Sequence, residues 1–253
     1  MSHYYDKHGG TRYTVPYSDG RKGERNTTLR DAKKNNWVPS VTTIMQVAAK
    51  PGLDIWKQNQ LIEAAIEIEY TGFSDDPKVF RRKVLAKSKE KGEEASKRGT
   101  ELHDSLEHYY LTGEYDKNEA FTRPAVELLM EKLGDIDWKP ELSFCHKDGF
   151  GGKIDLSGTG KFKEEYIVDF KTKTSGDISK FVAYDEHRMQ LAAYAAGLGF
   201  SEGARCFNLF ISTESPGIVK LIEHSAIEMD KAADMFNCLL KYWQLVKDYK
   251  PEV

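Results

Sequence analysis

The stretch from residue 149 to residue 171, GFGGKIDLSGTGKFKEEYIVDFK, constrains the fold of this chain more than any other. Two runs of alternating apolar residues, KIDL and IVDFK, flank the turn-rich sequence SGTGK, a pattern typical of a β-hairpin. A turn centred near residue 162 places Asp155 opposite Asp169. Lys153 then lies opposite Lys171. Because side chains alternate across a strand, these four charged residues share one face. The other face carries Ile154, Leu156, Val168 and Phe170.

The charged face of this hairpin has two interpretations. Like charges that face each other on neighbouring strands destabilise a sheet, since their Cβ atoms are only ~4.5–5.5 Å apart. The two aspartates therefore need a compensating cation, which the lysines of a solvated Lys/Asp lattice supply in the simpler interpretation. The alternative is a divalent-metal site, because carboxylate oxygens suit Mg²⁺ or Mn²⁺, with Lys171 beside the ion.

Four elements along the chain resemble the PD-(D/E)XK nuclease superfamily, in its RecB-like exonuclease branch. The first is RGTELHDSLEHYY (98–110), which is similar to the GTxxH helix of that branch and has His103 at the histidine position. Asp155 comes next, followed by Asp169-Phe170-Lys171 and then by a helix that carries Gln190-Leu-Ala-Ala-Tyr194. The segments WVPSVTTIMQ (37–46) and IWKQ (55–58) resemble the mitochondrial genome maintenance exonuclease group and its phage relatives.

The resemblance implies an α/β fold, a restriction-endonuclease-like mixed β-sheet flanked by helices, with a helical N-terminal part. We expect one nuclease domain over residues 37–253, preceded by a flexible basic and aromatic arm over residues 1–36. Within the domain the predicted parts are helical (37–135), a sheet core (137–223) and a C-terminal helix (226–249). Sequence patterns predict helices ahead of the sheet over about 53–69, 76–95, 98–112 and 120–134.

The resemblance also implies roles for individual residues. Asp155, Asp169, the Phe170 carbonyl and His103 are the expected metal ligands, and Lys171 is expected to orient or activate the attacking water. Gln190 and Tyr194 are expected to support Lys171 or the nucleic-acid backbone. Two further acidic residues are additional candidates, namely Glu107 and Glu141. The expected cofactor is Mg²⁺, with Mn²⁺ as a substitute.

Local charge points to a nucleic-acid partner although the net charge of the chain is −3. Residues 77–100 hold 9 Lys/Arg against 3 Glu, and residues 21–34 hold 6 against 2 acidic residues. Such runs are most often solvated helix faces or loops, but they also suit a channel that follows phosphates. The expected contacts are Arg81, Arg82, Lys83, Lys97, Arg98 and Lys173.

Cysteine content and hydrophobicity exclude other classes of protein. The 3 cysteines form no CxxC pair, so they do not predict a zinc motif or a disulfide framework, and they are too few for the four-cysteine iron–sulfur cluster of some RecB-like nucleases. No run approaches the ~18 apolar residues of a membrane span, and MSHYYDKHGG lacks an apolar signal core. We expect no membrane partner and a cytoplasmic location, in a bacterium or a phage-infected host.

The function predicted from the sequence is a Mg²⁺-dependent DNA exonuclease that acts on single strands or DNA ends, in repair, recombination or replication. An endonuclease of the same superfamily is one alternative. A non-catalytic nucleic-acid-binding module on a nuclease-like scaffold is another, although the intact Asp155, Asp169 and Lys171 positions argue against it. The polarity of digestion, the preference for DNA over RNA and the oligomeric state are not encoded in any pattern that we recognise.

Overall fold

The computed structural model of this 253-residue chain describes residues 2–68, 76–201 and 203–253. They fall into two compact units. The sheet unit comprises Met1–Ala48 and His103–Val253, and the helical unit comprises Ala49–Leu102. The predicted single domain over 37–253 therefore contains a compact unit of its own within its helical part.

The elements follow one another along the chain in three groups. The N-terminal group consists of β1 (Tyr4–Tyr5), β2 (Thr14–Pro16), β3 (Glu24–Asn26), α1 (Leu29–Asn35), β4 (Val38–Pro39) and α2 (Val41–Met45). The second group is α3 (Pro51–Glu67) and α4 (Pro77–Thr112). The third group is α5 (Glu119–Leu133), β5 (Asp137–His146), β6 (Phe150–Thr159), β7 (Glu165–Lys173), α6 (Asp185–Leu198), β8 (Arg205–Ser212), β9 (Val219–His224) and α7 (Ala226–Lys247).

The sheet unit is built on a five-stranded mixed sheet in the order β5-β6-β7-β8-β9. β7 and β8 are parallel, because α6 connects them as a crossover, and the other neighbours are antiparallel. Cys206 packs in the core formed with α6 and α7, whereas its neighbour Phe207 lines a cavity with Leu128 and Leu133 of α5. Since neighbouring residues of a strand point to opposite faces, helices cover both faces. The predicted fold class, a mixed α/β sheet flanked by helices, is confirmed.

The segment predicted to be a flexible arm, residues 1–36, contains β1, β2, β3 and α1. β1 pairs with β4, and the side chains of Tyr4 and Tyr5 are buried. Tyr5 packs where a Cβ on Gly151 would stand, so this glycine allows the N-terminal strand to approach β6 closely. Two aromatic residues of the predicted arm, Tyr4 and Tyr5, are therefore part of the core.

The helical unit contains α3 and the greater part of α4. Its packing uses Trp56, whose ring lies 3.4 Å from the place where a Cβ on Gly92 would stand. Sequence patterns predicted a break in α4 between 95 and 98, but the helix is continuous through Gly99. Residue 69, the predicted end of the helix before it, lies outside the described residues. None of the helices in the described ranges is long and apolar enough to span a membrane.

Candidate active site

Asp155 and Asp169 lie where the central strands of the sheet separate. The ladder between β6 and β7 runs from Thr159↔Glu165 to Leu156↔Val168, a register that centres on residue 162 as the sequence predicted. Asp155 and Asp169 are the next residues on the two strands. Beyond them the pairs of β6 are formed with β5 and those of β7 with β8. Each aspartate therefore stands at the mouth of an opening in the sheet.

Asp155 stabilises this opening through the backbone of the neighbouring strand. Its Oδ2 atom accepts a hydrogen bond of 2.7 Å from the amide of Phe170, which is no longer paired to β6. The amide and carbonyl of one strand residue point to the same side, so we expect the Phe170 carbonyl to face the opening as well. All four residues predicted on the apolar face, Ile154, Leu156, Val168 and Phe170, are buried.

Asp169 is the most buried charged group of the site, with 1% of its surface exposed. Its Oδ2 atom lies 2.6 Å from Nζ of Lys171 and accepts a 2.8 Å hydrogen bond from Nδ2 of Asn208. Burial raises the pKa of Asp169 to about 6 against the opposing effect of Lys171, and the charge of Asp155 acts in the same direction as burial. A buried carboxylate in this position is incompletely stabilised by its neighbours.

Lys171 is held from two sides. Besides its contact with Asp169, its ammonium donates a 3.1 Å hydrogen bond to Oε1 of Gln190 on α6. Nε2 of Gln190 in turn donates a 2.8 Å hydrogen bond to the hydroxyl of Tyr194, one helical turn further on. Burial raises the pKa of Tyr194 well above its ordinary value, so the hydroxyl remains protonated at neutral pH. The structure thus joins four of the predicted residues in one hydrogen-bonded chain.

His103 approaches the other carboxylate from α4. Its Nδ1 atom lies 3.6 Å from Oδ1 of Asp155, and its ring meets the ring of Phe170 edge to face. Burial acts to lower the pKa of His103, but Asp155 outweighs it and the pKa is raised. Burial likewise acts to raise the pKa of Asp155, but His103, Lys171 and the Phe170 amide outweigh it and the pKa is lowered. The two groups therefore favour the charged pair.

The remaining predicted residues lie outside this constellation. Glu141 lies within β5, has a left-handed backbone (φ 54°) and forms an ion pair with Lys153. Lys153 therefore pairs with β5 instead of facing Lys171. Glu107 is half-buried one turn along α4 from His103.

The predicted nucleic-acid contacts are distributed over both units. Lys173, in the sheet unit, lies over the ring of Tyr184, with its Nζ atom 5.4 Å from the ring centre. The other five belong to the helical unit, where Arg81, Arg82, Lys83 and Lys97 are exposed. Arg98 is half-buried and ion-paired with Glu101 at 3.2 Å. Exposed cations of this kind are available to phosphates, and their role stays a prediction.

Asn208 and His224 were missed by the sequence analysis. Asn208 interrupts the apolar strand RCFNLFIS, and a buried polar residue in such a run is a signal that a partner exists. His224 ends the last strand, and its Nε2 atom lies 2.8 Å from Oδ1 of Asn208. Neither residue belongs to a motif, so the sequence carried no indication that the partner is Asp169.

The two carboxylates of the site are donors of the type that a divalent cation prefers. Among the described residues, no three histidine, cysteine, aspartate or glutamate side chains converge in a ready-made metal cluster. Mg²⁺, however, commonly binds through one or two carboxylates and completes its shell with water and substrate phosphate. Asp155 and Asp169 fit this requirement in ligand type, and the repulsion that helps raise the pKa of Asp169 is what a dication would relieve.

Comparisons with known proteins gave distant structural likenesses. No protein-family model matches the chain, and no curated protein matches it either. An alkaline exonuclease, LHK-Exo from Laribacter hongkongensis, is 16% identical over 59% of this chain and 81% of its own, with a TM-score of 0.36. The solved structure of SSO0001 is 14% identical over 75% of this chain and 87% of its own, with a TM-score of 0.33.

Proposed function

We propose that the chain is a metal-dependent deoxyribonuclease that hydrolyses phosphodiester bonds, and within this class a Mg²⁺-dependent exonuclease acting on single-stranded DNA or DNA ends. One observation carries the proposal. Two strand-borne carboxylates flank an opening in the sheet, and the ammonium of Lys171 lies 2.6 Å from one of them. Two neighbouring carboxylates, which supply hard oxygen donors, and a fixed ammonium beside them are what metal-assisted attack on a phosphate requires.

Asp155 and Asp169 are the residues that would hold the cation. The Phe170 carbonyl and His103 would add an oxygen and a nitrogen donor. A bound Mg²⁺ would polarise the scissile phosphate and lower the pKa of a bound water. The burial of Asp169 favours cation binding, because the attraction between a carboxylate and a dication is stronger where little water surrounds the carboxylate.

Lys171 has two tasks in this proposal. Its ammonium offsets the charge that develops on the phosphate, and it orients the attacking water by a hydrogen bond. Gln190 fixes the direction of the ammonium through its Oε1 atom, and Tyr194 fixes the side-chain amide of Gln190. This arrangement is pre-organised, since Lys171 and Gln190 are already hydrogen-bonded to their neighbours before substrate binds.

The experiment that tests the proposal uses DNA labelled at the 5′ or the 3′ end, in single-stranded, duplex and covalently closed circular forms, with Mg²⁺ or with EDTA. We expect Mg²⁺-dependent release of mononucleotides or short products from linear DNA and intact circles. Asp169→Asn should lower the rate by about 100-fold or more, because the cation provides several kcal/mol. Asp230→Asn, an exposed aspartate of α7, is the matched control and should retain the wild-type rate.

The outcomes separate the competing functions. Cleavage of closed circles would identify an endonuclease. DNA binding that EDTA does not affect, without turnover, would identify a non-catalytic module. A rate in Asp169→Asn equal to that of the wild type would remove the mechanism proposed here.

A further inference from the structure

A chain of buried polar side chains leads from Asp169 across the two neighbouring strands. Asn208 on β8 has no exposed surface, and His224 on β9 is 5% exposed. The amide of Asn208 donates to Oδ2 of Asp169 at 2.8 Å, and Nε2 of His224 lies 2.8 Å from Oδ1 of Asn208. Three strands therefore contribute one residue each to a continuous path.

Strand register explains why these residues meet. Asn208 is the direct partner of Asp169 in the parallel β7–β8 ladder, so their side chains share one face. His224 pairs with Cys206 in the antiparallel β8–β9 ladder, two residues before Asn208, and reaches it diagonally on that face. The contacts thus follow from the sheet itself and do not depend on a loop.

The path has a direction. A carboxylate accepts hydrogen bonds, so the amide group of Asn208 must turn its Nδ2 atom toward Asp169 and its Oδ1 atom toward His224. An oxygen acceptor there requires that His224 carry its proton on Nε2. The reverse orientation of the Asn208 amide would set its oxygen against a buried carboxylate, which costs free energy in a low-dielectric site. His224 therefore selects the amide orientation that Asp169 needs.

The surroundings of His224 favour its neutral form, which donates one hydrogen bond. Burial lowers the pKa of His224, and the charge of Arg188 acts in the same direction, while Glu228 opposes both. The imidazole is therefore neutral at neutral pH and has a single N–H to donate.

We propose that Asn208 and His224 are positioning residues that fix the carboxylate of Asp169 for cation binding, Asn208 directly and His224 through Asn208. This inference rests on the proposed function, because it assigns a purpose to the orientation of a candidate metal ligand. Partners of this kind, which do not touch the ion, typically change metal affinity or activity about 10- to 100-fold when they are removed.

The first test is a double-mutant cycle with two measurements. One is the rate of DNA cleavage, and the other is the binding of Mn²⁺ to the metal-free protein, measured by electron paramagnetic resonance. We expect Asn208→Ala to weaken Mn²⁺ binding and to lower kcat about 10- to 100-fold, with the KM for DNA unchanged. His224→Leu should act in the same direction, but it should have no further effect in the Asn208→Ala background. His224→Gln, which keeps an N–H donor, should recover most of the loss.

Two measurements guard against a general loss of folding. Ser212 is likewise a fully buried polar residue of β8, and its hydroxyl accepts from the backbone amides of residues 214 and 215. Ser212→Ala is therefore the matched control and should leave Mn²⁺ affinity unchanged. In the wild-type protein, ¹⁵N NMR should show His224 as the Nε2–H tautomer, a result that needs no variant and no metal.

The outcomes distinguish this inference from the proposed function. A wild-type protein that cleaves DNA, together with an Asn208→Ala variant of unchanged Mn²⁺ affinity and kcat, would overturn the inference alone. An Nδ1–H tautomer of His224 would also overturn it. A protein that does not cleave DNA but binds Mn²⁺ in an Asn208-dependent manner would remove the proposed function and support the positioning role. A wild type that binds no Mn²⁺ would remove both.

Discussion

Nζ of Lys171 lies 2.6 Å from Oδ2 of Asp169. The two residues are two positions apart on β7, so their side chains point to the same face of the strand. The ammonium therefore neutralises a buried carboxylate in the protein alone, and the same ammonium is the group expected to face the phosphate. Any cation that Asp169 binds must share this carboxylate with Lys171. The contact thus couples metal binding to the position of the lysine.

Replacement of Lys171 should affect chemistry more than binding. We expect Lys171→Met to lower kcat about 100- to 10 000-fold, the usual effect of losing a group that assists proton transfer and charge stabilisation. Lys171→Arg should restore little, since a guanidinium has a different shape and does not deprotonate in proteins. Rapid-quench measurement of the cleavage step checks this. Lys139→Met, an exposed lysine of β5, is the control, and a kcat in Lys171→Met equal to that control would contradict the assignment.

Gln190 should matter through its oxygen. Because Oε1 of Gln190 accepts from the Lys171 ammonium, Gln190→Leu removes a hydrogen bond to a charged group, which is worth about 1.5–3 kcal/mol. We expect kcat to fall about 10-fold or more in Gln190→Leu. Gln190→Glu keeps an acceptor for the ammonium and should retain more activity than Gln190→Leu. Tyr194→Phe acts through the amide of Gln190 and should have the smallest effect of the three; a larger effect than that of Gln190→Leu would indicate a separate role for the hydroxyl.

The hairpin was predictable because its information is local. Alternating apolar residues and a turn-rich centre fix the register of β6 and β7, and the structure has the same register. The C-terminal helix was equally local: α7 begins at the predicted residue and ends within two residues of the predicted position. Such signals lie within one element of the sequence.

The opening in the sheet, the partners of Asp169 and the burial of the N-terminal tyrosines depend on contacts between distant segments, which a local pattern does not encode. The separation of β6 and β7 beyond Leu156↔Val168 arises because each strand continues its pairing with a different neighbour, which no single strand encodes. Asn208 is 39 residues from Asp169, and no motif joins them. Strands as short as β1 carry no measurable period, so the burial of Tyr4 and Tyr5 could not be deduced from a pattern.

Asp169 should make the stability of the metal-free protein depend on pH. Its pKa is raised in the folded state from 3.8 to about 6, so the folded protein binds this proton more tightly than the unfolded chain does. The stabilisation is therefore fully present below pH 3.8 and is lost as the pH rises through about 6. In EDTA, we expect the Tm of Asp169→Asn relative to wild type to increase between about pH 4 and about pH 7.

Mg²⁺ provides the control for that measurement. At about pH 8 the cation should raise the Tm of the wild type and leave that of Asp169→Asn nearly unchanged, because binding to the folded state stabilises by mass action. A Tm difference between the two proteins that does not vary with pH would show that Asp169 does not titrate in this range.

His103 and Asp155 should make the stability depend on pH in opposite directions at the other carboxylate. The pKa of His103 is raised above 6.5, so its stabilisation is fully present below pH 6.5 and is lost as the pH rises through the folded-state value. The pKa of Asp155 is lowered below 3.8, so its stabilisation is present above pH 3.8 and is lost as the pH falls through the folded-state value. The charged pair is therefore strongest between these limits.

Substitution of His103 by phenylalanine isolates this charge effect, because it keeps a ring against Phe170 and removes the proton. In EDTA, we expect His103→Phe to lower the free energy of unfolding more at about pH 5.5 than at about pH 9, as followed by urea denaturation. His108→Phe, at an exposed position on the same helix, is the matched control. Because it leaves the His103–Asp155 pair intact, its effect on the free energy of unfolding should not show this difference between the two pH values. Equal losses at both pH values would mean that His103 packs against the site without carrying a charge there.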